Sequence, residues 1–180
     1  MQIQLFNCAV KQRIVITGAE STGKSTLAQA LSNYYNEPWT EEFVRSYVDQ
    51  IHRDLQIQDL NPIAEGQFAL EDSGQEKARR LTIHDTNILS SIIYANYYFD
   101  TVLDWADDRF LERDYSLYLL CLPDIPWKAD KSQRESPEAR EQLHVLFKDS
   151  LDRLKIPYVE ISGTKEERMM QAVDAISKVL

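Results

Sequence analysis

The stretch Arg13-Ile-Val-Ile-Thr17-Gly18-Ala19-Glu20-Ser21-Thr22-Gly23-Lys24-Ser25-Thr26 decides the fold. Arg13–Thr17 is a short β-branched run ending at a glycine, the pattern of a buried parallel strand. Gly18 to Ser25 then fits G-x-x-x-x-G-K-[ST] at every fixed position. From Gly23 to Tyr34, the residues Leu27, Ala30, Leu31 and Tyr34 recur at helical spacing. The glycines let the backbone wrap closely around phosphate oxygens. The N–H groups of Gly18, Ala19, Glu20, Ser21, Thr22, Gly23 and Thr26 form a nest for the anion, and the helix N-terminus adds positive potential. Lys24 is expected to reach the β- and γ-phosphates, and the Ser25 hydroxyl to ligate Mg²⁺. A purine triphosphate, ATP or GTP, is therefore the expected ligand. A chance match is expected on the order of once in a thousand chains of this composition.

Outward from this loop, short strands alternate with helices. Leu81–His84 reads as a second strand, with Asp85 opening the polar turn after it. Tyr115–Leu122 and Pro157–Ser162 read as further strands, and one more short strand is expected before Trp39. Segments 41–53, 62–80 and 86–99 read as helices. Ser136-Pro-Glu is an N-cap followed by proline at the first helical position, and the face of that helix is Leu143, Leu146, Phe147, Leu151 and Leu154. Thr164-Lys-Glu-Glu167 is a capping box for a last helix. The predicted fold is α/β: a P-loop, nucleoside-kinase-like parallel sheet of about five strands, helices on both faces, and a lid at roughly 123–136.

Composition narrows the partners. The 180 residues carry 20 Lys+Arg against 29 Asp+Glu, a formal charge of −9, and one domain over 1–180 fits that length. Nucleic acid is excluded as an expected partner, because its binding rests on cationic neutralisation of phosphates. Thr86–Phe99, the longest uncharged run at 14 residues, is too short to span a bilayer. The sequence MQIQLFNCAVKQR lacks the pattern of a secretory leader, so no membrane and a cytoplasmic location are expected. Cys8 and Cys121 lie far apart and outside metal-ligand spacing, so both read as reduced thiols. Only 5 glycines occur; Gly18 and Gly23 belong to the loop, Gly163 follows the last strand, and Gly66 and Gly74 have no functional reading.

Three further segments hold candidate chemistry, each beside a plainer reading. Asp85, at the end of a strand, suits a carboxylate for nucleotide-bound Mg²⁺, or equally a helix N-cap. Trp39, Glu42 and Arg45 suit a pocket that stacks a flat ring, takes a hydroxyl proton and holds a phosphate; Glu41 and Arg45 also suit an i,i+4 surface pair. Segment 123–136, with Trp127, Asp130 and Arg134, suits a lid whose arginine neutralises charge on the transferring group, or an ordinary loop.

Taken in order, the P-loop block, Trp39…Glu42…Arg45-Ser-Tyr47, Asp85-Thr-Asn and Pro126-Trp127…Asp130…Arg134 resemble the ribosylnicotinamide kinase domain of NadR-type proteins, an AAA-type P-loop kinase grouping. The resemblance covers about residues 13–175. It implies ATP-dependent phosphorylation of the 5′-hydroxyl of nicotinamide riboside to nicotinamide mononucleotide. It also implies Trp39 beside the nicotinamide ring, Glu42 or Asp85 at the attacking hydroxyl, Arg45 and Arg134 on phosphates, and Trp127 with Asp130 on the lid. The preferred division makes Glu42 the base and gives Asp85 to Mg²⁺. No H-x-G-H spacing occurs among the three histidines, so NAD synthesis itself is not expected. A GTPase switch is disfavoured because Trp127-Lys-Ala-Asp130 has Trp where an N-K-x-D motif needs Asn. A non-catalytic ATP-binding regulator and a kinase of a different nucleoside or small metabolite are the remaining alternatives.

Overall fold

The computed structural model describes residues 10–127 and 136–180. Its elements, in chain order, are β1 (Gln12–Thr17), α1 (Lys24–Tyr35), β2 (Trp39–Thr40), α2 (Phe43–Ile51), a 3₁₀ turn (Ile57–Asp59), α3 (Leu60–Lys77), β3 (Leu81–Asp85), α4 (Ile88–Phe99), α5 (Asp104–Leu111), β4 (Leu117–Cys121), α6 (Pro137–Arg153), β5 (Tyr158–Ile161) and α7 (Lys165–Ser177). Five strands pair in parallel in the order β2-β3-β1-β4-β5. The P-loop strand β1 thus lies between β3 and β4.

Strand alternation sorts the core into two layers. Ile14, Ile16, Leu81, Ile83, Leu117, Leu119 and Cys121 face α1 and α7, where Leu27, Leu31, Ala172 and Ile176 meet them. Val15, Tyr118 and Leu120 face the opposite side, against Phe68 of α3, Ile88 and Leu89 of α4, and Phe147 of α6. Both faces of the sheet are covered, which is why its strands read as continuous apolar runs.

The α6 N-cap and the α7 capping box form as expected: Ser136 Oγ accepts the Ala139 N–H, and Thr164 and Glu167 cap each other reciprocally. Several expectations shift. The strand expected before Trp39 begins at Trp39, three residues after a left-handed Asn36 ends α1 and one after Pro38. Asp85 is the last residue of β3 rather than part of a turn, and Asn87 takes the N-cap position of α4 without a side-chain capping bond. Leu146 is exposed, because the buried α6 face runs through Leu143, Phe147 and Leu151. The two unassigned glycines are close-approach sites on α3: a Cβ on Gly66 would meet the Phe43 ring at 2.2 Å, and one on Gly74 the Thr40 methyl at 2.4 Å. Among the described residues, no helix is long and apolar enough to cross a membrane.

Candidate active site

The phosphate loop is built by three left-handed backbone positions. Gly18 has φ 127°, Ser21 φ 54° and Gly23 φ 82°. Gly18 is also pressed against β4, where an added Cβ would lie 2.8 Å from the Cys121 carbonyl oxygen. The Thr22 hydroxyl donates to the Ala19 carbonyl at 2.8 Å and closes the loop. Lys24, 6% exposed, donates its ammonium to the same carbonyl at 2.7 Å. A triphosphate offers that ammonium a charged acceptor in place of a neutral one, a stronger hydrogen bond.

Asp85 enters at the C-terminal end of β3, paired in register with Ile16 beside the loop. It is 2% exposed. Burial raises its pKa above the usual carboxylate value, and Glu42 adds to this; Lys24, a hydrogen bond from the Ser25 hydroxyl and Arg45 pull it back. The fold thus gathers Lys24, Ser25, Glu42, Arg45 and Asp85 from three segments. The Asp85 Oδ1 is buried with no hydrogen-bond partner among the described residues. An unsatisfied buried carboxylate oxygen next to a serine hydroxyl is a hard-oxygen donor set suited to Mg²⁺ carried by a nucleotide. The following residue, Thr86, is held at φ 65°, a strained setting for a β-branched side chain, with its N–H on the Ile16 carbonyl at 2.9 Å. Among the described residues, no group of three or more His, Cys, Asp or Glu side chains could hold a metal alone.

A cavity of about 610 Å³ opens from this centre. Its near end carries Glu20, Lys24, Glu42 and Arg45, and its far wall carries Tyr94, Tyr98 and Phe99 of α4. Arg45 pairs with Glu42 at 3.0 Å, not with Glu41 as its i,i+4 partner. Arg53 reaches the lining too, but its guanidinium is held bidentately by buried Asp59 at 2.6 and 2.8 Å.

Trp39 is not among the cavity residues. Thr40 points toward α3 and hydrogen-bonds His84 at 2.8 Å, so strand alternation turns Trp39 to the other face, where it packs against the α1 and α7 cluster. The ring expected to stack on a base therefore has a packing environment. Trp127 is half-buried and also outside the cavity lining. The segment after β4 does lie on the loop: a Cβ on Gly23 would touch Ile125 at 3.4 Å, and Arg140 of α6 holds the Ile125 carbonyl at 3.0 Å. Asp130 and Arg134 lie outside the described residues, as does Cys8. Cys121 is buried and unpaired, its thiol pushed up to about 11 by burial.

Sequence reading missed five contributors. Tyr94 and Tyr98 stack at 5.9 Å, and their i,i+4 spacing in an apolar helix was the available signal. Arg168 sits in the first turns of α7, against the helix dipole, which marks it as held by something else. Its guanidinium donates to the carbonyls of Thr22, Leu122 and Gly163 and to Asp124. Gln67 and Glu71 are buried polar residues on α3.

The chain is 26% identical over 176 residues to the trifunctional NAD biosynthesis/regulator protein NadR of Escherichia coli K12, covering 93% of this chain but 42% of that one. Two NadR crystal structures, one in complex with NAD and AMP-PNP and one in complex with NR, match at TM-score 0.82 and 22% identity over 94% of this chain, covering 49% and 51% of theirs. Deoxyadenosine kinase from M. mycoides matches at TM-score 0.69 and 13% identity, covering 93% of this chain and all of that one. The chain thus spans about half the length of the NadR proteins it matches, and its fold is that of the P-loop nucleoside kinases. The AAA domain family profile matches residues 13–168, and the chain belongs to that family.

Proposed function

We propose that the chain is an ATP-dependent nucleoside kinase that phosphorylates the 5′-hydroxyl of nicotinamide riboside. The carrying observation is the cavity that joins Lys24 to an aromatic wall without a surplus of positive charge. A nucleotide acceptor would bring its own phosphate and need cations of its own. Here Arg45 is engaged by Glu42 and Arg53 by Asp59, while Glu20, Asp49 and Asp54 add carboxylates to the lining. That balance favours a neutral or cationic nucleoside, and a pyridinium ring suits the faces of Tyr94 and Tyr98.

The chemistry is in-line transfer of the γ-phosphoryl group, in which positioning and charge neutralisation supply most of the rate. Lys24 neutralises charge on the β- and γ-phosphates. Glu42, at the start of α2 and facing the cavity, accepts the proton of the attacking hydroxyl. Ser25 and Asp85 would hold Mg²⁺, which supplies charge neutralisation between the phosphates. Asp130 and Arg134, as lid residues, would shield the transferring group. We read the chain as one kinase domain working in the cytoplasm.

The test is purified protein with ATP, Mg²⁺ and nicotinamide riboside, beside panels of other nucleosides, nucleotides and GTP. The expected products are ADP and nicotinamide mononucleotide, and Lys24→Ala should abolish turnover with an unchanged circular dichroism spectrum. Preferred phosphorylation of a nucleotide, or ATP binding with no turnover on any acceptor, overturns the reading; the second outcome marks a regulator.

A further inference from the structure

The two acid-bearing segments of the site begin helices that lack caps of their own. Glu42 precedes α2 and Asn87 precedes α4, and neither side chain caps its helix. The first N–H groups of a helix need partners when they are inside the protein. Both partners come from α3. The Phe43 N–H, next to Glu42, donates to Gln67 Oε1 at 3.0 Å. The Ile88 N–H, three residues past Asp85, donates to Glu71 Oε1 at 3.0 Å. Gln67 and Glu71 are one turn apart on one face of α3, 2% and 0% exposed, and joined by Gln67 Nε2 donating to Glu71 Oε1 at 3.4 Å.

The result is a continuous buried relay: Phe43 N–H to Gln67, Gln67 to Glu71, and Ile88 N–H to Glu71. Its far end is fixed in turn. Tyr115 donates its hydroxyl to Glu71 Oε2 at 2.6 Å, and Arg113 lies 3.5 Å from the same oxygen. The turn between Asp85 and Ile88 contains the strained Thr86, and its Asn87 amide donates to the Tyr118 hydroxyl at 2.6 Å. A strained turn keeps its geometry only when its surroundings over-determine it.

We propose that Gln67 and Glu71 are positioning residues for phosphoryl transfer, a side-chain bridge on α3 that sets the start of α2, with Glu42, against the end of β3, with Asp85. Neither residue needs to touch the reacting atoms. The bridge fixes where two carboxylates from distant parts of the sequence stand relative to each other, because α3 touches both helix starts through buried polar groups. This inference rests on the kinase reading given above, with Glu42 and Asp85 as its working acids.

The test compares Gln67→Met, Glu71→Met and Glu71→Gln, with Glu42→Gln and Asp85→Asn alongside, using MgATP and nicotinamide riboside. The two methionine variants should lower kcat by about 10- to 100-fold, the scale of a misplacement near 1 Å. The KM for ATP should stay within about twofold, because the P-loop is left intact. Glu71→Gln keeps an oxygen for the Ile88 N–H and should restore kcat to within a few-fold of the parent. Amide hydrogen exchange gives a reading that needs no substrate: Gln67→Met should deprotect Phe43, and Glu71→Met should deprotect Ile88. Should a methionine variant fail to fold, Gln67→Asn tests the bridge, since it keeps the amide but withdraws it by one methylene from both Phe43 and Glu71; its kcat should fall as well. Parent-like kcat in the folded Gln67 and Glu71 variants, while Glu42→Gln and Asp85→Asn lose activity, overturns the bridge and leaves the kinase reading standing. Parent-like kcat in Glu42→Gln and Asp85→Asn overturns the acid assignment on which the bridge depends.

Discussion

His84 carries a pH response in one side chain. It is fully buried on β3, its Nδ1 shares a hydrogen bond with Thr40 at 2.8 Å, and its Nε2 is buried without a partner among the described residues. Burial, with help from Arg13 and Arg113, lowers its pKa from 6.5 to about 3. Between those two values the unfolded chain binds a proton that the folded chain refuses, so stability is lost as pH falls through that window. From pH 7 to pH 5 the loss from this group is about 2 kcal/mol. His84→Asn keeps a polar atom for Thr40 and removes the titration. Urea midpoints at the two pH values should therefore fall less in His84→Asn than in the parent. Equal losses in the two proteins would show that His84 does not set the acid limb.

At the scale of elements, α3 is placed by its glycines as much as by its apolar face. An alanine at either glycine gains about 1 kcal/mol of helix propensity. At Gly74 the new methyl meets Thr40 at 2.4 Å and Thr82 at 3.0 Å, both β-branched residues on paired strands with stiff side chains. Overpacking of that kind costs about 1–3 kcal/mol and outweighs the propensity gain. At Gly66 the neighbour is the half-buried Phe43 ring, which has room to turn outward. Gly74→Ala is therefore expected to lower the urea midpoint more than Gly66→Ala, and the reverse order would refute the rigid-strand explanation. These glycines also mark where the sequence stopped being readable. The P-loop was legible because its backbone chemistry admits few residue types, and the α6 and α7 caps because they are local. Asp85 was legible as the end of a strand next to the loop. Trp39 was misplaced because a strand of two residues carries no alternation to say which face a side chain takes. Gln67 and Glu71 were not legible at all, and Arg168 only as a cation out of place near the start of α7, since each acts on backbone groups far away in the chain and one sequence does not name the partner of a tertiary hydrogen bond.

At the scale of the whole molecule, one guanidinium ties the phosphate loop to the segments beside it. Arg168 is 5% exposed and donates to the Thr22 carbonyl of the P-loop at 3.0 Å, to Leu122 at the end of β4 at 3.1 Å, and to Gly163 before α7 at 2.9 Å. It also pairs with Asp124, which in turn accepts the Gly163 N–H at 2.6 Å. Phosphate loop, the segment after β4 and the loop after β5 are thus held by a single planar fork, a geometry that an ammonium cannot copy. Arg168→Lys should cost about 2–3 kcal/mol of stability, toward the low end for breaking a buried pair because Asp124 is partly open to solvent. The more specific consequence concerns the donor. On the proposed kinase reading, the loops that Arg168 gathers would hold the triphosphate, whereas the acceptor would enter the cavity lined by α2, α3 and α4. Arg168→Lys should therefore raise the KM for ATP by about tenfold, leave the KM for the nucleoside nearly unchanged, and shrink the upward shift in Tm that MgATP produces. A variant that loses stability but keeps the parent's KM for ATP and its full MgATP-induced Tm shift would reduce Arg168 to a folding residue, with no part in shaping the donor site.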